Sequence, residues 1–555
     1  MVSALLQTIT KPVRGLHQAA YLLASLTLAS QILALVRDRL FAHQFGAGEM
    51  LDLYYAAFRV PDLVFALVAS LVSAYVLIPR IAGGNDNEIK RLISQTASFL
   101  FIAGGVLCAG IAVVAPNILQ LLYPTLMSGE HATEFVMLAR LLLVQPIILG
   151  LSGIATSVTQ AKRRFVLFAL SPVLYNLGII GGTLFLYPLY GLVGVGMGVV
   201  LGALLHLIIH LPVLKEARLL PVPTIPDPKV LWSVMKDSLP RSMALGMGAF
   251  VTLALTVLAA RTGEGGVSVF TFASNLEAVP LSLVGAAYAT AAFPVLAEHH
   301  RKKQGVAYRD TISAAARHII FWSTIIMVLT IVMRAHIVRI VLGTGAFSWD
   351  DTRLTAAILA ILVVALAAQG LILLCARAFY AAQRSWNPLI MQLGDAGISV
   401  LVAVLSMSLA ASVPEVRYFV EALFRVTDVA GADILFIALG ATVGQLIVAL
   451  VALLTLGRVA PGVARSLVRP LLESLGAAIL GGAASYGVLS FMGSLEPLTT
   501  THAVLAQGTI AGMVGLLVGV GVLASLQNKE FKDLRESLKR LTTKNIPASD
   551  TALSE

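Results

Sequence analysis

The chain has 555 residues, of which 58% are hydrophobic and only 12% charged, with a mean hydropathy of +0.88. No soluble fold of this length hides that much apolar surface, so a polytopic membrane protein is expected. The formal net charge of +10 is spread over alternate loops instead of one patch, which argues against nucleic acid as a partner.

The apolar segments run continuously over roughly 20 residues and do not alternate as barrel strands do, so the expected fold class is all-α. The N-terminus lacks a short apolar region followed by a small-residue cleavage site, and no removable signal peptide is expected. Fourteen spans are predicted. The first six lie near Ala19–Val36, Ala56–Ile78, Leu92–Leu122, Phe135–Val158, Val166–Leu186 and Gly191–Leu214. The next six lie near Ser242–Ala260, Val267–Leu296, Ala314–Leu342, Leu354–Phe379, Pro388–Ala410 and Ile434–Leu456, and a final pair near Leu471–Met492 and Ala503–Leu526. Cys108 and Cys375 fall in separate spans and imply no disulfide framework.

Two stretches repeat each other about 215 residues apart. Ser171-Pro172-Val173-Leu174-Tyr175-Asn176-Leu177-Gly178 is echoed by Asn387-Pro388-Leu389-Ile390-Met391-Gln392-Leu393-Gly394. The run ending Val76-Leu77-Ile78-Pro79 answers the one ending Ala291-Ala292-Phe293-Pro294, and Gly48-Glu49 answers Gly263-Glu264. The repeat predicts two pseudo-repeated six-helix lobes, residues 1–220 and 221–460, an additional helix pair over 461–527 and a basic tail over 528–555. Two such lobes facing each other are how many carriers expose a site to one side of a membrane at a time.

One set of loops is basic: Lys11 and Arg14; Arg80, Lys90 and Arg91; Lys162, Arg163 and Arg164; Lys215, Arg218 and Lys229; Arg301, Lys302, Lys303 and Arg309; Arg377 and Arg384; Arg458, Arg465 and Arg469; then the tail. The intervening loops hold none, one (Arg261; Arg353) or two (Arg417 and Arg425). By the positive-inside rule both termini are expected in the cytoplasm. In the tail, Leu526, Phe531, Leu534, Leu538 and Leu541 share one helical face opposite Lys and Arg. That face suits either the inner leaflet or a solvated helix.

Charge inside an apolar span is costly and usually faces a cavity or a partner. The densest cluster runs from the end of span 1 into span 2: Arg37, Asp38, Arg39, Asp52 and Arg59. Asp38 neutralises one neighbouring Arg, and the surplus guanidinium charge suits a phosphate or pyrophosphate. The competing reading is that these side chains reach for the interface and pin the loop. In span 8, Ser274, Asn275 and Glu277 precede the Pro280 break, which frees backbone carbonyls for bending. Asn275 and Glu277 are taken with Arg37, Asp38, Asp52 and Arg59 as candidate substrate-binding residues. Asp395 and Gln392 in span 11 are candidates for coupling to H⁺ or Na⁺, against a buried acid bonded to a neighbouring helix. His206 and His210 stand four apart, but no third ligand accompanies them and no metal site is expected. The glycines of span 6, among them Gly194, Gly198 and Gly202, are read as close helix packing. There is no G-x-x-x-x-G-K-[ST] loop, no nucleophile–base constellation and no sizeable extramembrane domain, so neither a cofactor nor enzymatic chemistry is expected.

The first two spans resemble the MurJ (MviN) family of lipid II flippases, in the MOP exporter superfamily. The pattern is carried by Arg37-Asp38, Phe45-Gly46-Ala47, Asp52-Leu53-Tyr54-Tyr55 and Ala57-Phe58-Arg59-Val60-Pro61. Span 8, from Val269 through Pro280 to Ala292-Phe293-Pro294, Arg164-Phe165, and Asn176 after Pro172 match as well. The resemblance implies two six-helix lobes forming a V, with a last helix pair beside a groove for the lipid tail. It implies transport of undecaprenyl-pyrophosphate-linked disaccharide-pentapeptide from inner to outer leaflet of a bacterial cytoplasmic membrane. It also implies that Arg37, Asp38, Asp52 and Arg59 serve that substrate. The chain departs from the pattern at Gln31 and Phe65, where the family usually has Arg, at Ser70-Leu71 in place of an acid-Gly pair, and at Ser274-Asn275 in place of Asp-Arg. Some members hold a cation with acids on spans 7 and 11; Asp395 matches the second, and the first aligns with Leu255. An exporter of another lipid-linked polysaccharide or of a small cation is the alternative. A polytopic glycosyltransferase and a purely structural role are further readings, the former without the acidic motifs and large loop it needs.

Overall fold

The computed structural model describes residues 16–68, 77–78, 80–81, 85–493 and 500–542. Over these the protein is a bundle of helices, and no strand occurs among the described residues. We number the long helices α1 (Leu16–Phe45), α2 (Glu49–Val68), α3 (Asp86–Leu122), α4 (Ala132–Ala161), α5 (Phe165–Gly181), α6 (Tyr187–Ile208) and α7 (Pro228–Ala259). They continue as α8 (Gly266–Arg301), α9 (Gly305–Val341), α10 (Trp349–Ala381), α11 (Trp386–Ser412), α12 (Ile434–Leu456), α13 (Val463–Met492), α14 (Thr501–Ser525) and a tail helix α15 (Lys529–Thr542).

Each of the fourteen predicted spans falls on one of α1–α14, the second only in its described part. Val76, Pro79, Ser70 and Leu71, and with them part of the repeat, lie outside the described residues. Eleven helices among the described residues are long and apolar enough to cross a membrane. One of them, Phe165–Glu216, is 52 residues long and holds two predicted spans. It bends at Gly191, whose φ of 58° and ψ of −145° no other residue type adopts comfortably. Exposed Val106, Val113 and Leu121 mark α3, and Leu446, Leu450 and Leu454 mark α12, as surfaces fit for lipid. The chain is therefore an all-helical, multi-pass membrane protein.

Local chemistry sets several helix ends. Asp227 accepts from the Lys229 N–H at 3.0 Å and Pro228 follows it, so α7 starts fourteen residues before its predicted span. α1 runs nine residues past the predicted Val36, which places Arg37, Asp38 and Arg39 inside a helix and not at its end. Single π-helical turns interrupt the pattern at Leu100–Gly104, Gly182–Leu186 and Ser282–Ala286, a distortion that apolar periodicity does not announce.

By packing, the described chain forms two compact units. The first comprises Met1–Leu276, Val341–Ile361 and Ser385–Gly444; the second comprises Glu277–Ile340, Leu362–Arg384 and Gln445–Glu555. This division differs from the repeat-based one at residues 220 and 460 because α7 packs on both α2 and α11. Within the first unit, α5 and α6 meet backbone to backbone. A Cβ on Gly178 would overlap Gly202, and one on Gly182 or Gly198 would overlap the other. The equivalent pair in the second repeat, α11 and α12, meets the same way at Gly440 on Ala403 and Gly444 on Ser399. Small residues are how helices associate where lipid offers no hydrophobic drive.

In the second unit, α13 packs along α14, and the start of α15 is docked. Asn528 accepts from the Phe531 N–H at 3.0 Å and donates to Glu473 at 2.8 Å, while Glu530 pairs with Arg317 at 3.2 Å. Phe531 packs on Phe321, Ile325, Ala477 and Leu523. The first turn of the tail is thus held on the bundle; the side chains of Leu534, Leu538 and Leu541 lie outside the described residues.

The α5–α6 seam gives a direct test. Gly198→Ala should lower the apparent unfolding temperature by an amount corresponding to about 1–3 kcal/mol, because its neighbour is backbone and cannot yield. Gly181→Ala, whose Cβ would meet nothing within 4 Å, should be neutral or slightly stabilising. Thermal unfolding of the purified variants in detergent measures both.

Candidate functional site

The charged cluster is assembled where α1, α2, α5 and α8 meet inside the first unit. An aromatic floor lies beneath it. Phe41 packs edge-on to Tyr54 at 5.0 Å, Tyr54 meets Tyr55 at 5.4 Å and Phe58 at 4.9 Å, and Tyr55 meets Phe272 of α8 at 6.0 Å. The Arg37 guanidinium sits 5.9 Å above the Phe41 ring, a cation–π arrangement that holds the charge without neutralising it.

Arg37 donates to one oxygen of Asp38 through Nε at 3.1 Å and Nη2 at 2.8 Å, and through Nη1 to Asn176 of α5 at 3.2 Å. The other Asp38 oxygen accepts from Asn275 Nδ2 of α8 at 2.9 Å. Asp38 is 2% exposed, whereas the Arg37 side chain keeps 19%. The carboxylate is the buried anchor, and the Arg37 side chain that it holds is partly exposed. Asn176, quoted in the repeat but not singled out as a site residue, is thus a member of the cluster; its position after Pro172 was the signal.

Arg59 of α2 donates through Nη2 to the Thr271 hydroxyl of α8 at 3.2 Å. Its Nε is buried and has no hydrogen-bond partner among the described residues. The Tyr55 hydroxyl, one turn earlier on α2, is also buried and unpartnered. Such orphaned donors cost roughly 1–3 kcal/mol each and ask for an acceptor. Thr271 and Asn275 stand four apart on α8, so the Arg59 contact and the Arg37–Asp38 contact fall one turn apart on one helix face. Arg39 is engaged elsewhere, donating to the Val341 carbonyl at 3.1 Å.

Asp52 is 1% exposed and used internally. One oxygen accepts from the Gly265 N–H at 2.8 Å; the other accepts from the Ser268 N–H at 2.7 Å and the Ser268 hydroxyl at 2.6 Å. A carboxylate from α2 therefore caps the first turn of α8, satisfying amides that the helix cannot satisfy itself. Around it the loops related by the repeat touch: Gly265, at φ 79°, lies on the Ala47 carbonyl, and the Glu49 N–H donates to Glu264 at 3.3 Å. The Ala346 N–H donates to the His43 carbonyl at 3.0 Å.

Glu277 belongs to the second unit. It is 6% exposed and accepts from Gln369 Nε2 at 2.6 Å, and the same amide donates to Gln445 Oε1 at 2.7 Å. Neither Gln is flagged by local pattern; each is a lone amide in an apolar span. Asp395 is half-buried and accepts from Ser399 on its own helix at 2.9 Å. Gln392 is near Gly248 of α7, and the α7 position expected to face Asp395, Leu255, is a buried apolar residue. His206 and His210 bond to Ser152, Thr156 and Thr159 of α4, and no group of three metal-ligating side chains occurs among the described residues.

The Asp52 cap is open to measurement. Asp52→Ala strands three donors and should lower stability by about 3 kcal/mol or more, with Asp52→Asn, which keeps one acceptor oxygen, intermediate. Thermal unfolding in detergent ranks the three proteins.

Comparison with known proteins agrees with this architecture. A solved structure of lipid II flippase MurJ in an inward closed conformation superposes with a TM-score of 0.71 at 19% identity, covering 92% of this chain and 100% of that one. An inward-facing multidrug resistance MATE transporter of the MOP superfamily gives 0.63 at 15% identity, covering 80% and 99%. The lipid II flippase MurJ of Burkholderia cenocepacia is 26% identical over 301 residues, 52% of this chain, and the match spans 58% of that relative's length. The sequence model of the family described as lipid II flippase MurJ matches residues 41–501. With more than three quarters of its length inside that match, the chain belongs to the MurJ family of lipid II flippases.

Proposed function

We propose that this protein carries lipid II, the peptidoglycan precursor built on undecaprenyl pyrophosphate, from the inner to the outer leaflet of a bacterial cytoplasmic membrane. It does so by alternating access and without covalent chemistry. The observation that carries the reading is the alignment on α8. Thr271 and Asn275 hold Arg59 and the Arg37–Asp38 pair one turn apart on a single face, and Arg59 retains a buried donor with no acceptor. Two guanidiniums so placed, one of them under-satisfied, match the paired phosphoryl groups of a diphosphate. A small cation would find no comparable reason to enter.

In this reading Arg37 and Arg59 grip the pyrophosphate. Asp38 orients Arg37, and Asn275 holds Asp38 where the family usually places Asp-Arg in α8. Asp52 acts one step back by fixing the start of α8. With both termini in the cytoplasm, the contacts of Gly46, Ala47 and Asp52 with 265–268 and 345–346 lie at the outer end and close it. Opening outward then requires those hydrogen bonds to part, so the substrate must interact differently with the two states by a few kcal/mol. The repeat-related lobes at 1–220 and 221–460 are the moving parts, and an ion gradient or the membrane potential supplies the free energy.

Complementation of a flippase-depleted bacterium, read as lipid II reaching the outer leaflet, tests the assignment. Arg37→Ala and Arg59→Ala should each reduce flipping about 10- to 100-fold at unchanged membrane abundance, and Arg59→Lys should recover part of it. Normal growth of the Arg37→Ala strain would remove the pyrophosphate role. Asp395→Asn should alter the response to imposed Na⁺ or H⁺ gradients in proteoliposomes; an unchanged response removes Asp395 as a coupling residue.

A further inference from the structure

The second unit holds a group that the headgroup site does not use. The Glu277 carboxylate lies among α8, α10 and α12 and is 94% enclosed, on the complement of its 6% exposure. Its contact partner is the neutral amide of Gln369, which is in turn spent on Gln445. No ion pair reaches it among the described residues. The charged or titratable groups on the segments around it lie elsewhere. On α8 these are Tyr288 and then Glu298, His299, His300 and Arg301, three turns or more along the helix. On α10 they are Asp350, Asp351 and Arg353 at its start and Cys375, Arg377 and Tyr380 near its end, with the Arg377 guanidinium 5.8 Å over the Phe293 ring. On α9, whose Ile319 touches Gly370, they include Arg317 on Glu530, His318 stacked 5.5 Å from Tyr288, and His336 on Gln507. The residues of α12 from Gln445 to Leu456 include none.

A lone carboxylate in such a place is expensive to keep ionised, and proteins retain one in a membrane span for function. The donor set narrows that function. Gln369 turns its N–H₂ toward both neighbours, so the group that faces the carboxylate is a hydrogen-bond donor and not a cation ligand. The surroundings also suit motion. Pro280 breaks the α8 hydrogen-bond ladder three residues on, the π turn Ser282–Ala286 follows, and Gly285 lies against Gly370 with backbones in contact, beside Gln369.

We infer that Glu277, buffered by the Gln369–Gln445 amide pair, is the proton-binding site that couples this carrier to a proton gradient. The proton comes from water on one side of the membrane and leaves to the other. Uptake turns the carboxylate into a neutral acid, weakens the charge-assisted Gln369 contact and frees α8 to shift on α10 at its most deformable point; release restores it. This rests on the transport reading above, but it uses neither Arg37 nor Arg59.

Two measurements on the full chain test it. Infrared difference spectra of the purified protein, taken as pH is varied, should show the carbonyl band of a protonated carboxylic acid. The band should be lost in Glu277→Gln, kept in the exposed-site control Glu298→Gln, and moved in frequency in Gln369→Leu, which leaves the acid in place. In proteoliposomes, lipid II flipping by Glu277→Gln should lose its dependence on an imposed pH gradient. A missing band, a band insensitive to Gln369→Leu, a band that responds to Na⁺ instead of pH, or a variant still driven by the gradient would each overturn the assignment. If the wild-type protein moves no lipid II, the transport reading fails by itself, and the spectra still decide whether Glu277 binds a proton.

Discussion

The arrangement depends on the carboxylate of Asp52. It accepts three hydrogen bonds from the first turn of α8, and it is held inside the protein where water cannot substitute. Capping by a side chain from another helix fixes both the position and the rotation of α8. The rotation matters most, since Thr271 and Asn275 point toward α2 and α1 only in one setting of the helix. Arg59 and the Arg37–Asp38 pair are then received on one face. The charged cluster is built outward from a cap.

Departures from the family pattern acquire a physical sense in this frame. Where the family usually has Asp-Arg on α8, this chain has Ser274-Asn275. Asn275 supplies a neutral donor to Asp38, so the carboxylate is not shared with a second guanidinium and stays committed to Arg37. Ser274 turns back on the Phe270 carbonyl of its own helix and leaves the site without an acid there. The cluster is distinguished by the buried, unpartnered donors on Arg59 and Tyr55 among the described residues.

Polar groups elsewhere follow the rule that a buried donor or acceptor needs a partner. His206 and His210 are bonded to hydroxyls of α4, which accounts for both without a metal. Glu277 satisfies the rule only with neutral partners, and that is what sets it apart from Asp38, whose charge is met by a guanidinium. Gln369 and Gln445 are unremarkable as single residues and informative as a pair.

Composition and apolar run length sufficed to read an all-helical membrane protein, the places of its spans and, through the motif around Arg37 and Arg59, its family. Hydropathy is additive over a window of about twenty residues, so each span is visible locally. The sequence also singled out Arg37, Asp38, Arg59 and Asn275, which the fold gathers around α8. What Asp52 does, that Asn176 and Thr271 hold the arginines, and that Glu277 is bonded through Gln369 to Gln445 were decided only by tertiary structure. The partners of Asp52 lie 213 and 216 residues away. A hydrogen bond across that separation leaves no periodicity or composition in the chain; it exists only once packing has set which faces of the helices meet.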